Sequence, residues 1–326
     1  MTSPDERDPA AEATPAVGLR VPRFGAGATG LVSLFLAASV TVVPFLGVFV
    51  APLGLIPVLH FQSSGTSGIR AWGWVVLVLI AALGLPLGSY PLEILTAYIL
   101  IVALPAASVE AWARWTWSEG RWVGVAVGLA LVFVLAAISI ATIPEGPTEG
   151  LIDWYRAQTA FVIETYHSAG VSTAEMELAF DTVEEYTPVL VPGFLVIYVV
   201  MILFWIRPRI PVLGYRMAVS PFEQYRGDEW LAAGFAVAGL GTLLLHGIAR
   251  WVAVNLLVAV LVLYFVQGLA MIRAHLARWV GRGWFVRWGV ALLCIYPPIP
   301  ILVATLGVAD SFFPLRPTAS DDGGNP

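Results

Sequence analysis

The chain is poor in charged residues. Only 12% of its 326 residues are Asp, Glu, Lys or Arg, whereas 59% are hydrophobic. A soluble domain carries about 25% charged residues, so this chain has too little polar surface to cover its apolar side chains in water. Its mean hydropathy of +0.83 agrees with this. The composition excludes a soluble globular enzyme, a nucleic-acid-binding protein and a disordered chain, and it predicts an all-α polytopic membrane protein.

Lysine is absent and cysteine occurs once. All 17 basic residues are arginine, which excludes a lysine Schiff base and the lysine of a phosphate-binding P-loop. The single Cys294 excludes an internal disulfide and a thiolate zinc site. No two histidines have metal-site spacing, and HExxH, GxSxG and P-loop motifs are missing. We therefore expect no catalytic residues, no metal and no cofactor, and we predict that the protein is not an enzyme.

Apolar segments recur along most of the chain. Nine of them approach the length of about 20 residues that crosses the hydrocarbon core. They cover about 28–43, 44–61, 71–88, 91–107, 122–143, 189–206, 231–247, 252–273 and 288–309. The sequence thus predicts a bundle of eight or nine transmembrane helices. Pro44, Pro52 and Pro57 interrupt the first two segments, which form either two spans or one span with a re-entrant piece.

The arginines predict an orientation. Basic residues in short loops stay in the cytoplasm. With the N-terminus inside, fourteen arginines lie on the inner side and only Arg156, Arg250 and Arg316 lie outside. We predict a multi-pass protein of the bacterial inner (cytoplasmic) membrane whose N-terminus is cytoplasmic. Residues 144–187 and the C-terminus are predicted to be extracytoplasmic.

Polar segments divide the chain into five parts. Residues 1–27 and 310–326 are predicted to be disordered tails, because they are polar and contain few residues able to pack. Residues 28–143 and 188–309 hold the N-terminal and C-terminal transmembrane helices. Between them, residues 144–187 form an extracytoplasmic acidic helical hairpin.

This acidic hairpin carries nine carboxylates against one basic residue, Arg156. Ser172 and Glu175 predict a capping box at the start of its second helix. Anionic lipid would repel acidic helices, so we expect their apolar faces to lie on the protein, over the outer ends of the spans. The hairpin is either a lid or partner-docking surface, or a periplasmic loop without a function of its own. Its first helix presents an apolar face of Leu151, Tyr155, Phe161, Val162 and Tyr166.

Four polar residues in the predicted spans are candidates for substrate binding. Glu93 lies near the outer start of the fourth span, and Asn255, Tyr264 and Gln267 lie in the eighth. Ionisable groups in lipid are costly and often functional. Structural roles compete with this interpretation: a carboxylate in the first turn complements the helix dipole, and amides in lipid bond neighbouring helices.

Three C-terminal stretches are distinctive. SPFEQYRGDEW (Ser220–Trp230), NLLVAVLVLYFVQGLA (Asn255–Ala270) and LGVADSFFPLR (Leu306–Arg316) resemble the YybS-like family of predicted bacterial membrane proteins, domain of unknown function 2232. The family is distantly similar to the substrate-binding membrane subunits of energy-coupling-factor vitamin transporters, which is an analogy of fold. The positions that match the family pattern are Asn255, Tyr264, Gln267, Gly268, Asp310, Phe313 and Arg316.

Two functions follow as hypotheses. The first is a substrate-binding or transport-related membrane subunit for a small molecule, energised by partner subunits or by an ion gradient. The alternative is a non-transporting membrane scaffold or assembly protein of the cell envelope. In both cases the partners are the lipid bilayer and energising or envelope protein subunits, and nucleic acid is excluded.

Overall fold

The computed structural model describes residues 25–63, 90–143, 145–170, 172–279, 298–313, 315 and 316. In this part of the chain the regular elements are helices and there is no strand, which confirms the all-α prediction there. Of the predicted tails, 1–27 and 310–326, residues 1–24 and 317–326 lie outside it. Ala26 and Gly27 instead belong to the first helix, and residues 310–312 belong to the last one. The helices are α1 (Ala26–Val42), α2 (Pro44–Val50), α3 (Leu55–Ser63), α4 (Tyr90–Tyr98), α5 (Leu104–Trp115), α6 (Glu119–Ala141), α7 (Pro147–Ser168), α8 (Ala174–Glu184), α9 (Thr187–Ile206), α10 (Trp230–Leu244), α11 (Gly247–Trp279) and α12 (Ile299–Phe312).

Several helices have the length and composition of membrane spans. Five segments are long enough to cross, and three further apolar helices are shorter but fall on predicted spans: Ala26–Thr41, Trp230–Leu244 and Ile299–Phe312. The predicted span 71–88 and the first part of the last one, 288–297, lie outside the described residues, so the count of nine stays a prediction. The five segments that are long and apolar enough to cross are Leu46–Ser63, Ile94–Trp115, Glu119–Ala141, Thr187–Arg209 and Gly247–Leu276.

The first helices form a tight pair. A Cβ at Gly54 would lie 2.9 Å from the carbonyl oxygen of Ser33, and one at Gly47 would overlap the backbone at Ser39. Gly47 lies beside Ser39, and the later Gly54 lies beside the earlier Ser33. Helix α1 therefore runs antiparallel to the α2–α3 segment. Of this pair, the segment Leu46–Ser63 is long and apolar enough to cross a membrane, whereas Ala26–Thr41 is shorter.

The loops at one end of the bundle meet each other. Ser63 donates a hydrogen bond to the carbonyl of Leu213 (2.6 Å), and Arg207 forms a buried ion pair with Glu119. We call this end, built from residues 62–63, 119–121, 207–229 and Arg273, the arginine-rich end. The contacts agree with the prediction that these loops share one side of the membrane.

The acidic hairpin lies at the opposite end and is mostly uncovered. In α7 only Pro147 and Leu151 are buried, and no residue of α8 is buried. The expectation that both apolar faces cover the outer ends of the spans is therefore wrong beyond Leu151. Helices α7 and α8 instead pack against each other, and the Tyr155 hydroxyl donates a hydrogen bond to the carbonyl of Phe180 (3.3 Å).

The start of α8 also differs from the expected capping box. The helix begins after Thr173 rather than Ser172. The Thr173 hydroxyl donates to the carboxylate of Glu177 (2.7 Å) instead of capping the backbone. The predicted pair of Ser172 and Glu175 is therefore replaced by a hydrogen bond between the side chains of Thr173 and Glu177, which are one turn apart.

Candidate functional site

Helices α11 and α12 pack with their backbones in contact. A Cβ at Gly268 would overlap the carbonyl oxygen of Val303, and a Cβ at Gly307 would overlap that of Tyr264. Only glycine leaves room for this approach. Small residues at interfaces let membrane helices come close when lipid supplies no hydrophobic force between them. The contact places the polar side chains of both helices within hydrogen-bond reach.

Gln267 lies beside this contact and is only 1% exposed. Its Oε1 accepts a hydrogen bond from the backbone N–H of Gly227 (3.0 Å). Its Nε2 donates to Asp310 Oδ2 (2.9 Å) and to the Ser311 hydroxyl (3.2 Å). Both donors of the amide and its carbonyl oxygen are thus used by the protein itself.

The carboxylate of Asp310 lies in the protein interior. Its side chain is 0% exposed, and Arg316 Nη2 pairs with its Oδ2 at 2.8 Å. Arg316 Nε lies 3.2 Å and 3.1 Å from the two carboxylate oxygens. A buried carboxylate is tolerated only when it is paired and hydrogen-bonded, and here Arg316 and Gln267 both satisfy it.

Arg316 also reaches the long loop between α9 and α10. Its Nη1 donates to the carbonyl of Glu223 (3.0 Å), and its Nη2 donates to that of Tyr225 (2.7 Å). Gln267 holds Gly227 of the same loop. The Gln267–Asp310–Arg316 network therefore joins α11, the end of α12 and the loop.

These contacts correct the predicted side of Arg316. Glu223 bonds Arg316 through its carbonyl and pairs through its carboxylate with Arg273 at 2.6 Å. Arg273 was predicted inside and Arg316 outside, yet one residue cannot bridge a core of about 30 Å. The placement of Arg316 on the side opposite Arg273 is wrong, and Arg316 lies at the arginine-rich end. The C-terminus itself, predicted to be extracytoplasmic, lies outside the described residues.

The physical reason is the length of the last helix. The 14 residues of α12 reach only about 21 Å at about 1.5 Å per residue, which is less than the thickness of the core; residues 288–297 of the predicted span lie outside the described residues. Moving Arg316 changes the predicted arginine distribution from fourteen against three to fifteen against two. The correction thus increases the excess of arginines on the inner side, on which the predicted orientation was based.

The same loop is anchored at a second place. The guanidinium of Arg207 donates to the carbonyl of Ser220 and pairs with Glu119. Tyr225 packs edge-on against Phe204 with ring centroids 4.9 Å apart. Burial raises the pKa of Tyr225, and the positive charge of Arg207 partly opposes this rise in pKa. The loop is therefore a packed part of the fold.

Tyr264 is fully buried among helix contacts. Its ring stands perpendicular to that of Phe235, with centroids 6.1 Å apart, and its carbonyl faces Gly307. Its hydroxyl lies near Ser311 but makes no hydrogen bond of standard geometry with the residues described. Packing against neighbouring helices therefore explains most of the environment of Tyr264.

Asn255 donates a hydrogen bond to a backbone carbonyl that lacks its helical donor because of a proline. Pro192 has no N–H, so the carbonyl of Pro188, four residues earlier in α9, lacks its helical donor. Trp251 Nε1 (2.8 Å) and Asn255 Nδ2 (3.3 Å) donate to that carbonyl instead. Sequence reasoning missed this pairing, although the Pro-x-x-x-Pro spacing was a signal that a carbonyl needed a partner.

This pairing makes a prediction about Asn255. Asn255→Leu is expected to cost about 0.6 kcal/mol, the average for hydrogen bonds between membrane helices. In a Pro192→Ala background the new N–H at 192 can serve Pro188, so the same substitution should cost less. Unfolding free energies of the four variants in one detergent mixture measure this coupling. An equal cost in both backgrounds would contradict the assignment.

The candidate residues do not form one cluster. Asn255 and Gln267 are twelve residues apart on α11, about 18 Å along the helix, so they lie towards opposite ends of the bundle. Tyr264 neighbours Gln267. Glu93 lies in α4, and its side chain falls outside the described part of the structure. Within that part, no group of three or more His, Cys, Asp or Glu side chains could hold a metal ion.

A family model described as "Predicted membrane protein (DUF2232)" matches residues 30–311. The chain belongs to this family. Membership confirms the resemblance drawn from the three C-terminal stretches, and it makes this DUF2232 chain a multi-pass protein of the lipid bilayer. No curated protein and no solved structure matches it.

Proposed function

We propose that this DUF2232 protein is a non-transporting membrane scaffold that holds protein subunits of the cell envelope. The observation that carries the proposal is the use of Gln267, whose amide bonds Gly227, Asp310 and Ser311. A substrate-binding subunit needs polar side chains that remain available to a ligand. Here Gln267, the best candidate, forms its hydrogen bonds within the protein, where they hold the fold together.

The charges support the same proposal. Asp310 and Arg316 neutralise each other, and so do Arg207 and Glu119. A transporter that couples to an ion gradient uses ionisable groups that change partners or protonation. These four groups instead connect helices to the loop that covers the arginine-rich end.

One observation favours the small-molecule hypothesis as the second candidate. Asn255 Oδ1 is buried and has no hydrogen-bond partner among the described residues. A ligand that donates a hydrogen bond would satisfy this oxygen. One unpaired acceptor is weaker support than the complete network around Gln267, because a buried water satisfies an acceptor equally well.

Purification of the full chain in mild detergent tests both candidates. We expect protein subunits to remain bound in a fixed ratio, with no small molecule retained, when the complex is analysed by mass spectrometry. Asn255→Ala should leave the subunit ratio unchanged. A retained small molecule that Asn255→Ala removes, with no subunit present, would overturn the scaffold and establish the second candidate.

A further inference from the structure

Helix α7 presents two large aromatic side chains to solvent. Trp154 is 52% exposed and Phe161 is 72% exposed. They are seven residues apart, so they lie on one face of the helix. Helix α7 is not among the segments that could cross the membrane, and its acidic residues disfavour contact with anionic lipid. We call this face the Trp154–Phe161 stripe.

Carboxylates border the stripe along one edge. Asp153 and Glu164 are eleven residues apart in α7, which puts them nearly in line along the helix. The hairpin has nine carboxylates but only Arg156 as a cation. An apolar face bordered by acidic groups is complementary to a basic amphipathic segment.

The cation of the hairpin is already engaged. Arg156 pairs with Asp153 at 3.2 Å and with Glu184 at 2.6 Å. The hydrogen bond from Arg156 lowers the pKa of Glu184, so this carboxylate stays ionised. The remaining carboxylates thus give the hairpin a negative field that its own arginine does not cancel.

We propose that the Trp154–Phe161 stripe binds a basic amphipathic segment of a protein partner outside the membrane. This inference rests on the scaffold function and names the chemistry of the partner. The aromatic rings insert into the apolar face of the segment, and Glu164 and its acidic neighbours attract the arginines or lysines beside it. Aromatic anchors with a charged rim are typical of protein interfaces.

The first test uses a defined probe. The full chain is placed in phosphatidylcholine nanodiscs and titrated with a labelled 20-residue Leu/Lys amphipathic peptide, with the matching Leu/Glu peptide as a comparison. We expect the Leu/Lys peptide to bind, and Phe161→Ala or Trp154→Ala to weaken binding by about tenfold or more, as for an aromatic anchor. Glu164→Gln should weaken binding and reduce its salt dependence.

Tyr166→Ala is the matched control. Tyr166 is an aromatic of the same helix and is 46% exposed. The sequence placed it on one broad apolar face with Phe161, but five residues separate the two by about 140° around a helix of 3.6 residues per turn. Tyr166 therefore lies outside the Trp154–Phe161 stripe. Its loss should leave the affinity within about twofold, well under one factor of ten. Equal affinity of Phe161→Ala and wild type, or equal binding of the Leu/Glu peptide, would overturn the proposal.

The second test identifies what occupies the stripe in cells. A photo-crosslinking amino acid at position 161 is expected to attach to a protein segment with net positive charge, and the same group at position 166 should not. Crosslinks to lipid alone, or to a neutral or acidic segment, would contradict the proposal. If subunits still co-purify while these tests fail, the scaffold stands and only the stripe is rejected.

Discussion

Asp310→Ala is expected to lower the free energy of unfolding by about 3–5 kcal/mol, because it leaves the charge of Arg316 largely buried without an opposite charge. The carboxylate it removes is fully buried and pairs with Arg316 at 2.8 Å. Gln267 Nε2 loses an acceptor as well. Chemical unfolding in one detergent mixture measures the stability, and hydrogen exchange at Gly227 reports whether the loop is released.

An exposed ion pair provides the control for Asp310. Glu110 and Arg114 pair at 2.7 Å one turn apart on α5, with the arginine side chain 63% exposed. Glu110→Ala should cost less than about 1 kcal/mol, as surface pairs do. The double variant Asp310→Ala, Arg316→Ala should cost less than the sum of its single variants. A cost for Asp310→Ala equal to that of Glu110→Ala would show that the network does not hold the loop.

Gly268→Ala is expected to destabilise the protein by about 1–3 kcal/mol, the usual cost of overpacking. The added Cβ would overlap the carbonyl oxygen of Val303. That oxygen belongs to the backbone of α12, so a side-chain rotation cannot relieve the overlap. Separation of the helices would also move Asp310 away from Gln267, and the same unfolding measurement should detect both effects.

Gly128→Ala is the matched control on α6. A Cβ at Gly128 meets no atom within 4 Å. Alanine there gains helix propensity, so we expect a neutral or stabilising effect of up to about 1 kcal/mol. If Gly268→Ala were also neutral, the close backbone contact between α11 and α12 would be refuted.

The sequence was informative about individual polar residues but not about their partners. Gln267 and Asn255 stand out because amides are rare in long apolar helices, and both are buried and hydrogen-bonded. Their partners are distant in the chain: Gln267 bonds Gly227 and Asp310, 40 and 43 residues away. Hydropathy and spacing describe one segment at a time, so they could not connect these groups.

The error at Arg316 has a similar origin. Counting arginines assigns sides only if every apolar segment crosses the membrane, and the 14 residues of α12 by themselves are shorter than the core. The spacing of Asp310 and Arg316, six residues apart, was a local signal of an ion pair. It could not show that Arg316 also reaches the carbonyls of Glu223 and Tyr225.

The sequence by itself determined that this chain is a helical membrane protein of the DUF2232 family, since lipid accepts only apolar helices with internally bonded backbones and the family pattern covers residues 30–311. It also determined which loops carry the arginines. The tertiary structure alone decided that Gln267, Asp310 and Arg316 bond each other and the loop, and that the stripe on α7 stays exposed. Contacts between distant segments depend on how helices pack in three dimensions, and one-dimensional periodicity does not contain that information.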